Sequence, residues 1–138
     1  MPHQAPMALS MILCDTVIVD GATKKATLFG LFETVFATSF PVRVPQLTVF
    51  AELTDGHGKT PITLKYCRMA GDSLDGTLIK SADIEVSFLD PRQVVQLILS
   101  LAPIDFPEPG EYRIMLAVGE VVFAERRILA SPIAGKPP

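Results

Sequence analysis

The residues best suited to chemistry in this 138-residue sequence are two histidines, two cysteines and a scatter of acids. His57 follows Asp55 in a glycine-flanked stretch, where it could act as a base or as a metal ligand. Glycines on both sides are also typical of a polar hairpin turn, and this is the interpretation we favour. His3 lies in a predicted tail. Because a zinc site needs three or four ligands, the sequence predicts no metal, no cofactor and no catalytic residue.

Cys14 and Cys67 form the second candidate group, since a thiolate acts as a nucleophile when a base lies beside it. His57 is the one imidazole in the predicted domain, and both cysteines fall within predicted strands. Each cysteine is therefore expected to be a small buried or half-buried thiol. Two cysteines without an export signal predict free thiols and a cytoplasmic protein.

The acidic residues include one candidate calcium site and one acid, Asp15, that lies within an apolar predicted strand. The acidic loop at residues 72–75, with Asp15 and Asp20, could surround a calcium ion, but it lacks the regular ligand spacing of a calcium loop. Solvated loop acids are the simpler interpretation. Asp15 stands within an apolar strand. If its side of the strand faces the core, it needs a partner, for which Arg43 and Arg126 are the candidates.

Composition and charge exclude several classes of protein. The chain is 49% hydrophobic with a net charge of −3, which excludes general disorder and argues against nucleic acid held by a basic surface. No stretch approaches the roughly 18 apolar residues of a membrane span, so no membrane partner is expected. The length predicts one domain over residues 11–130, between flexible tails at residues 1–10 and 131–138.

Prolines and alternating apolar residues divide this domain into strands. Proline removes a ladder donor and so marks strand ends, while apolar residues between the prolines recur with the strand period of two. A hairpin turn is predicted at residues 20–24. The predicted strands cover residues 11–20, 26–36, 47–54, 60–69, 84–88, 95–101, 111–118 and 121–129. This pattern predicts an all-β fold, an antiparallel β-sandwich of seven to nine strands with an immunoglobulin-like Greek key.

The stretch from Glu108 to Ile114 resembles the start of the penultimate strand in immunoglobulin-like domains, where a tyrosine hydroxyl folds back onto the upstream backbone. Tyr112 would be that tyrosine. Ile114 stands where antibody domains have a cysteine, so the likeness concerns the architecture alone. The predicted core contains Val49, Leu53, Leu64, Val86, Leu97, Leu99, Tyr112, Ile114 and Leu116.

More of the chain is similar to an uncharacterised bacterial family catalogued only as a domain of unknown function. The matching stretches lie at residues 14–20, 28–32, 40–45, 51–58 and 106–113, with a closing pair at residues 125–126. This resemblance implies a β-sandwich. It implies no activity and no site.

A homodimer is the predicted assembly. If residues 47–54, 60–69, 111–118 and 121–129 share one sheet, its outer face carries an apolar centre with a charged rim, which is the usual anatomy of an interface. The predicted centre consists of Phe50, Met69, Met115, Ala117 and Phe123. The favoured function is thus a non-enzymatic interaction or assembly module, with an unidentified protein partner left open beside the homodimer. The alternatives are a small-ligand or carbohydrate-binding sandwich, and a metal-dependent enzyme using His57 and loop acids.

Overall fold

The computed structural model describes residues 4–70, 76–101 and 103–133, and the regular structure within them is β-strand throughout. Two large sheets pack face to face around one core. The all-β sandwich is therefore confirmed, although eleven strands exceed the predicted seven to nine. In chain order the strands are β1 (Met7–Val19), β2 (Ala26–Leu31), β3 (Thr34–Ala37), β4 (Val42–Val44), β5 (Thr48–Thr54), β6 (Gly58–Met69), β7 (Gly76–Phe88), β8 (Val95–Ser100), β9 (Ile104–Phe106), β10 (Gly110–Val118) and β11 (Val121–Pro132).

The four-stranded sheet has the order β2-β1-β5-β8, and the five-stranded sheet has the order β3-β11-β10-β6-β7. β3 runs parallel to β11, the other neighbouring strands of the two sheets are antiparallel, and β4 and β9 form a separate antiparallel pair. The expectation that residues 47–54 share a sheet with 60–69, 111–118 and 121–129 is wrong. β5 lies in the opposite sheet, between β1 and β8. Alternation identifies the buried side of a strand, and it carries no information about the strand's neighbours.

Alternation does identify the inward faces of the central strands. In β6 the side chains of Ile62, Leu64 and Tyr66 are buried, and in β10 those of Ile114 and Leu116 are buried. Eight of the nine predicted core residues are buried, and Leu99, on the edge strand β8, is partly buried against the core. The predicted core is therefore confirmed with that one qualification.

Three aromatic rings form the centre of this core. The ring centroids of Tyr66, Phe106 and Tyr112 lie 4.9–5.7 Å apart. The Tyr112 hydroxyl donates to the Glu108 carbonyl oxygen at 2.6 Å, which confirms the predicted tyrosine corner. The Tyr66 hydroxyl donates to the Asp105 carbonyl oxygen at 2.8 Å. Both buried rings thereby keep their polar atoms bonded.

The N-terminal part of the fold differs from the sequence prediction in two places. β1 begins at Met7, inside the predicted tail, and the predicted strand at 26–36 is two strands. β2 belongs to the four-stranded sheet and β3 to the five-stranded sheet, so the chain crosses between the sheets at residues 32–33. The hairpin between β1 and β2 is confirmed. Its turn is held by the Asp20 carboxylate, which accepts the backbone N–H groups of Ala22 and Thr23 at 2.8 Å and has a lowered pKa as a result.

No helix in the described part of the chain is long and apolar enough to cross a membrane.

Leu64→Ala and Leu99→Ala should lower the free energy of unfolding by different amounts. Leu64 is fully buried in the central strand β6, so its truncation should lower the free energy of unfolding by about 2–5 kcal/mol. Leu99→Ala should cost less, because its side chain already contacts solvent at the sheet edge. Urea unfolding of both variants measures the difference. An equal or larger loss at Leu99 would contradict the assigned core.

Tyr112→Phe tests the tyrosine corner. The phenylalanine ring keeps the packing, but the Glu108 carbonyl oxygen and N–H lose the hydroxyl that bonds them at 2.6 and 3.1 Å. The free energy of unfolding should fall by about 1 kcal/mol. Thermal unfolding monitored by circular dichroism provides the measurement, and an unchanged melting temperature would show that the corner is not stabilising.

Candidate functional site

The residues singled out for catalysis or metal binding do not converge. His57 is exposed in the loop between β5 and β6, next to Gly56, which packs under the Phe88 ring. Asp55 adopts a positive φ of 61° in the same loop, in keeping with the predicted turn. Within the described ranges, no group of three or more histidine, cysteine or acidic side chains is placed to hold a metal ion. The proposed calcium loop at residues 72–75 lies outside those ranges.

Both cysteines are free and buried. Burial is the main cause that raises the pKa of each thiol, and the neighbouring Asp15 charge raises that of Cys14 further. The Cys14 Sγ donates to the carbonyl oxygens of Thr16 and Thr48. A neutral, buried thiol is a poor nucleophile, so these environments favour packing over catalysis.

The two arginines considered as partners for Asp15 have other partners. The Arg43 Nε lies 2.8 Å from Asp105, and this hydrogen bond is the main cause that lowers the pKa of the Asp105 carboxyl. Arg126 donates to the Glu33 carboxylate at 2.8 Å. The expected pairing of Asp15 with either arginine is therefore wrong.

Asp15 needs no buried partner, because its side chain is exposed. β5 pairs with β1 only as far as Cys14, so the rest of β1 lacks the cover of a second strand on that side. The Asp15 carboxylate instead fills the space that a Cβ at Gly30 would need. Gly30 also has a positive φ of 72°. Both features restrict position 30 to glycine.

The predicted association residues do not form an exposed apolar centre. Phe50 lies in the four-stranded sheet. The other four residues lie in the five-stranded sheet, on β6 (Met69), β10 (Met115 and Ala117) and β11 (Phe123). Phe50, Met69 and Ala117 are buried, and Met115 and Phe123 are half-buried.

Phe123 packs against the core, contrary to the outward placement expected from alternation. The register shifts between Leu116 and Ala117, which pair with Ala124 and Val122, and Phe123 is the residue skipped by this bulge. A β-bulge re-aims a side chain at one position and so breaks the alternation. Val122 is exposed instead.

The middle of the outer face of the five-stranded sheet is polar, while Leu129 on β11 and Phe36 on β3 are 46% and 65% exposed. Arg113 lies 2.7 Å from Glu111 and 3.7 Å from Glu125, and Arg127 lies 3.9 Å from Glu111. Met115 pairs across the strands with charged neighbours on both sides, so its half-buried side chain is an isolated apolar residue in a charged network. This face resembles ordinary solvated sheet surface.

The outer face of the four-stranded sheet is apolar over much of its area. Ile12 and Ile98 flank Phe50 across three paired strands. Towards the β2 edge, Phe29 and Leu31 are 47% and 64% exposed. Polar side chains gather at one end of this face, in the row formed by Ser10, Glu52 and Gln96.

The most exposed part of this face is a two-stranded segment, which we call the β1–β2 ribbon and define as residues 15–19 of β1 with residues 26–31 of β2. In the described chain, Thr16 to Val19 pair with β2 and with no other strand. Apolar residues are exposed on both faces of the ribbon, namely Ile18 (55%), Val19 (44%), Phe29 (47%) and Leu31 (64%).

A shallow hollow of about 570 Å³ opens at the base of the ribbon, where the chain crosses between the sheets. Its apolar wall includes Ile12, Leu31 and Phe32, and the Glu33–Arg126 ion pair lies at its edge. The hollow extends the apolar surface of the ribbon towards the five-stranded sheet.

Sequence reasoning missed the ribbon as the candidate site. The available signal was the poor alternation of residues 26–31, where apolar side chains stand on both faces of the strand. Such a pattern is usually assigned to a fully buried strand, and only the pairing shows that this one is exposed.

The solved structures similar to this chain include two crystal structures of a β-glucosidase from Listeria innocua. The complex with gluconolactone is 12% identical with a TM-score of 0.44, and the complex with isofagomine is 11% identical with a TM-score of 0.41. Each match covers 88% of this chain and 16% of the enzyme chain, so this chain spans about a sixth of the length of those proteins. No curated protein sequence matches this chain.

A family model matches residues 9–130, which includes the whole predicted domain at residues 11–130. The match confirms the resemblance carried by the motifs at residues 14–20, 28–32 and 106–113. The chain therefore belongs to DUF6941, a family of unknown function.

Proposed function

We propose that this protein is a non-enzymatic interaction module that forms a homodimer through the apolar surface of the β1–β2 ribbon. The observation that carries the proposal is the exposure of four large apolar side chains on a segment of only two strands. The four side chains are divided between the two faces of the ribbon, and large apolar side chains clustered at the surface of a monomer are uncommon. The surface differs from the one expected from sequence, which lies in the charged or buried parts of the fold.

The ribbon lacks the support that two strands need. A two-stranded hairpin is marginal in water unless a third strand or a packed layer covers it. Val17 and Leu28, paired across the ribbon, are half-buried, and neither belongs to the core cluster of the sandwich. A second protein surface against the ribbon would supply the missing contacts.

The contrast between the two sheets supports this choice of surface. On the five-stranded sheet the exposed charges are paired with one another, as in the contacts of Arg113 with Glu111 and Glu125. On the ribbon, between Asp15 and the Asp20 turn on β1 and along the whole of β2, the residues are uncharged. Burial of the ribbon would therefore require little desolvation of charge.

A non-enzymatic role is supported by the environments of the candidate nucleophiles and bases. His57 is exposed and belongs to no group of three or more metal-ligating side chains in the described residues, and both thiols are buried with raised pKa values. The carbohydrate alternative has little support, because Tyr66 and Tyr112 are fully buried and offer no face for stacking on a sugar.

We also propose that the sandwich has an immunoglobulin-like Greek key, to which extra strands are added. β10 lies between β6 and β11, as the penultimate strand does in the immunoglobulin sandwich, and it begins at the tyrosine corner. We further propose that the protein is cytoplasmic, because free thiols are expected in a reducing compartment and both cysteines are free and buried.

Light scattering on a size-exclusion column tests the homodimer. The full chain at micromolar concentration should have twice the 14.9 kDa mass of one chain. Phe29→Glu should raise the dissociation constant by about tenfold or more, because the carboxylate must be desolvated in the interface. A monomer mass for the wild-type chain would overturn the proposal.

Phe36→Glu is the matched control for that experiment. Phe36 is 65% exposed on β3, outside the ribbon, so the same substitution there should leave the dimer intact. If Phe36→Glu separates the subunits and Phe29→Glu does not, the dimer exists but uses another surface. Circular dichroism of both variants verifies that they fold.

His57→Ala tests the non-enzymatic part of the proposal. A solvent-exposed loop side chain makes few contacts, so the free energy of unfolding should change by less than about 0.5 kcal/mol. Thermal unfolding with and without zinc or calcium provides the measurement. A metal-dependent rise in melting temperature that His57→Ala abolishes would contradict the proposal.

A further inference from the structure

We infer that the two copies join edge to edge, with β2 of one chain pairing antiparallel to β2 of the other. This inference rests on the proposed homodimer and specifies its geometry. The two ribbons would become one four-stranded ribbon across a two-fold axis, so that the two four-stranded sheets form a continuous sheet.

The outer edge of β2 is free in the described part of the chain. β2 is the last strand of its sheet and pairs only with β1. Its six residues, Ala26 to Leu31, include no proline and no charged side chain. An exposed edge of this composition is a template for a further strand, since its unpaired N–H and C=O groups need partners.

The other edges of the sandwich carry features that oppose pairing. β7 bears Lys80, Asp83 and Glu85, and the Lys80 ammonium donates to the Leu101 carbonyl oxygen at 3.3 Å. This contact places a cation beside the end of β8, the edge strand of the other sheet. β3 is only four residues long. Charges and short strands are common protections of natural sheet edges, and β2 has neither, although Gly30 interrupts its extended backbone with a positive φ of 72°. β8 is likewise six residues long without charge or proline, and the adjacent Lys80 distinguishes it from β2.

The charges at the two ends of β2 select a second copy in antiparallel orientation. Lys24 and Lys25 precede the strand, and Glu33 follows it. The Glu33 carboxylate pairs with Arg126 of its own chain, and its side chain is still 74% exposed. In an antiparallel β2 pair, the lysine end of each strand lies beside the glutamate end of the other. A parallel pair would instead place the lysines together, at an electrostatic cost.

Symmetry gives a second reason for a copy of this chain as the occupant. An antiparallel pair of identical edges is related by a two-fold axis, so one contact satisfies both ribbons and the assembly closes as a dimer. Phe29 of each chain would face the opposite β2 on the outer face, where aromatic and β-branched residues such as Thr27 form favourable cross-strand pairs.

Amide hydrogen exchange, measured residue by residue by NMR on the full chain, tests the edge pairing. Exchange is compared at concentrations above and below the dissociation constant found by light scattering. Amides of residues 26–31 that do not bond to β1 should exchange about tenfold more slowly, or slower still, in the dimer. Amides at the outer edges of β7 and β8 should exchange at the same rate in both states.

The outcomes separate this inference from the proposed function. A dimer in which the exchange of residues 26–31 does not depend on concentration, or in which β8 is protected instead, overturns the edge pairing and leaves self-association intact. A monomer at all concentrations overturns both.

Charge reversal supplies an independent readout. Lys25→Glu should weaken the dimer severalfold, because it places a carboxylate beside Glu33 of the other copy. Lys59→Glu, an exposed lysine on β6, is the matched control and should leave the dissociation constant unchanged. Equal effects of the two substitutions, or no effect of Lys25→Glu in a dimer, would contradict the antiparallel pairing.

Discussion

The unequal lengths of two neighbouring strands determine the unusual part of this fold. β1 has thirteen residues and β5 has seven, and their pairing ends at Cys14 opposite Thr48. Beyond that point, within the described residues, β1 pairs with β2 and with no strand on its other side. The sandwich can bury side chains only where two layers overlap. The ribbon is therefore the part of the chain for which one copy of the protein provides no second layer.

The rest of the sandwich is stabilised by a core in which the buried tyrosine hydroxyls form hydrogen bonds. The rings of Tyr66 and Tyr112 are fully buried, yet both hydroxyls donate to backbone carbonyl groups in the segment at residues 105–108. These two bonds fix the connection from β9 to β10 against the five-stranded sheet. Desolvation by burial is also the main cause that raises the pKa of Tyr66. This part of the fold is fully packed and hydrogen-bonded, whereas the exposed apolar residues of the ribbon lie outside the core cluster.

The sequence allowed the strands and their inward faces to be predicted, since burial leaves a period of two in β6 and β10. It also allowed the tyrosine corner to be predicted, because that motif is local. Sheet membership could not be predicted for residues 47–54, because strand neighbours depend on contacts between distant segments. The inward turn of Phe123 depends on a bulge, and the division of residues 26–36 depends on a crossing between the sheets. Neither event changes the local composition, so alternation alone could not reveal it.

The same reasoning explains why the five predicted association residues do not form one exposed face. Phe50 and Met69 were assigned outward by period, yet both are buried by neighbouring side chains. The alternation of residues shows which side of a strand is apolar, whereas the solvent accessibility of that side depends on the side chains that cover it. Residues 26–31 are apolar on both sides, which suits a strand covered on both faces. In a single copy Ala26 and Leu28 are half-buried and Phe29 and Leu31 are exposed, so this strand is only partly covered. A chain whose ribbon gains strands only on association would couple the order of that ribbon to protein concentration, because binding stabilises the conformation that binds.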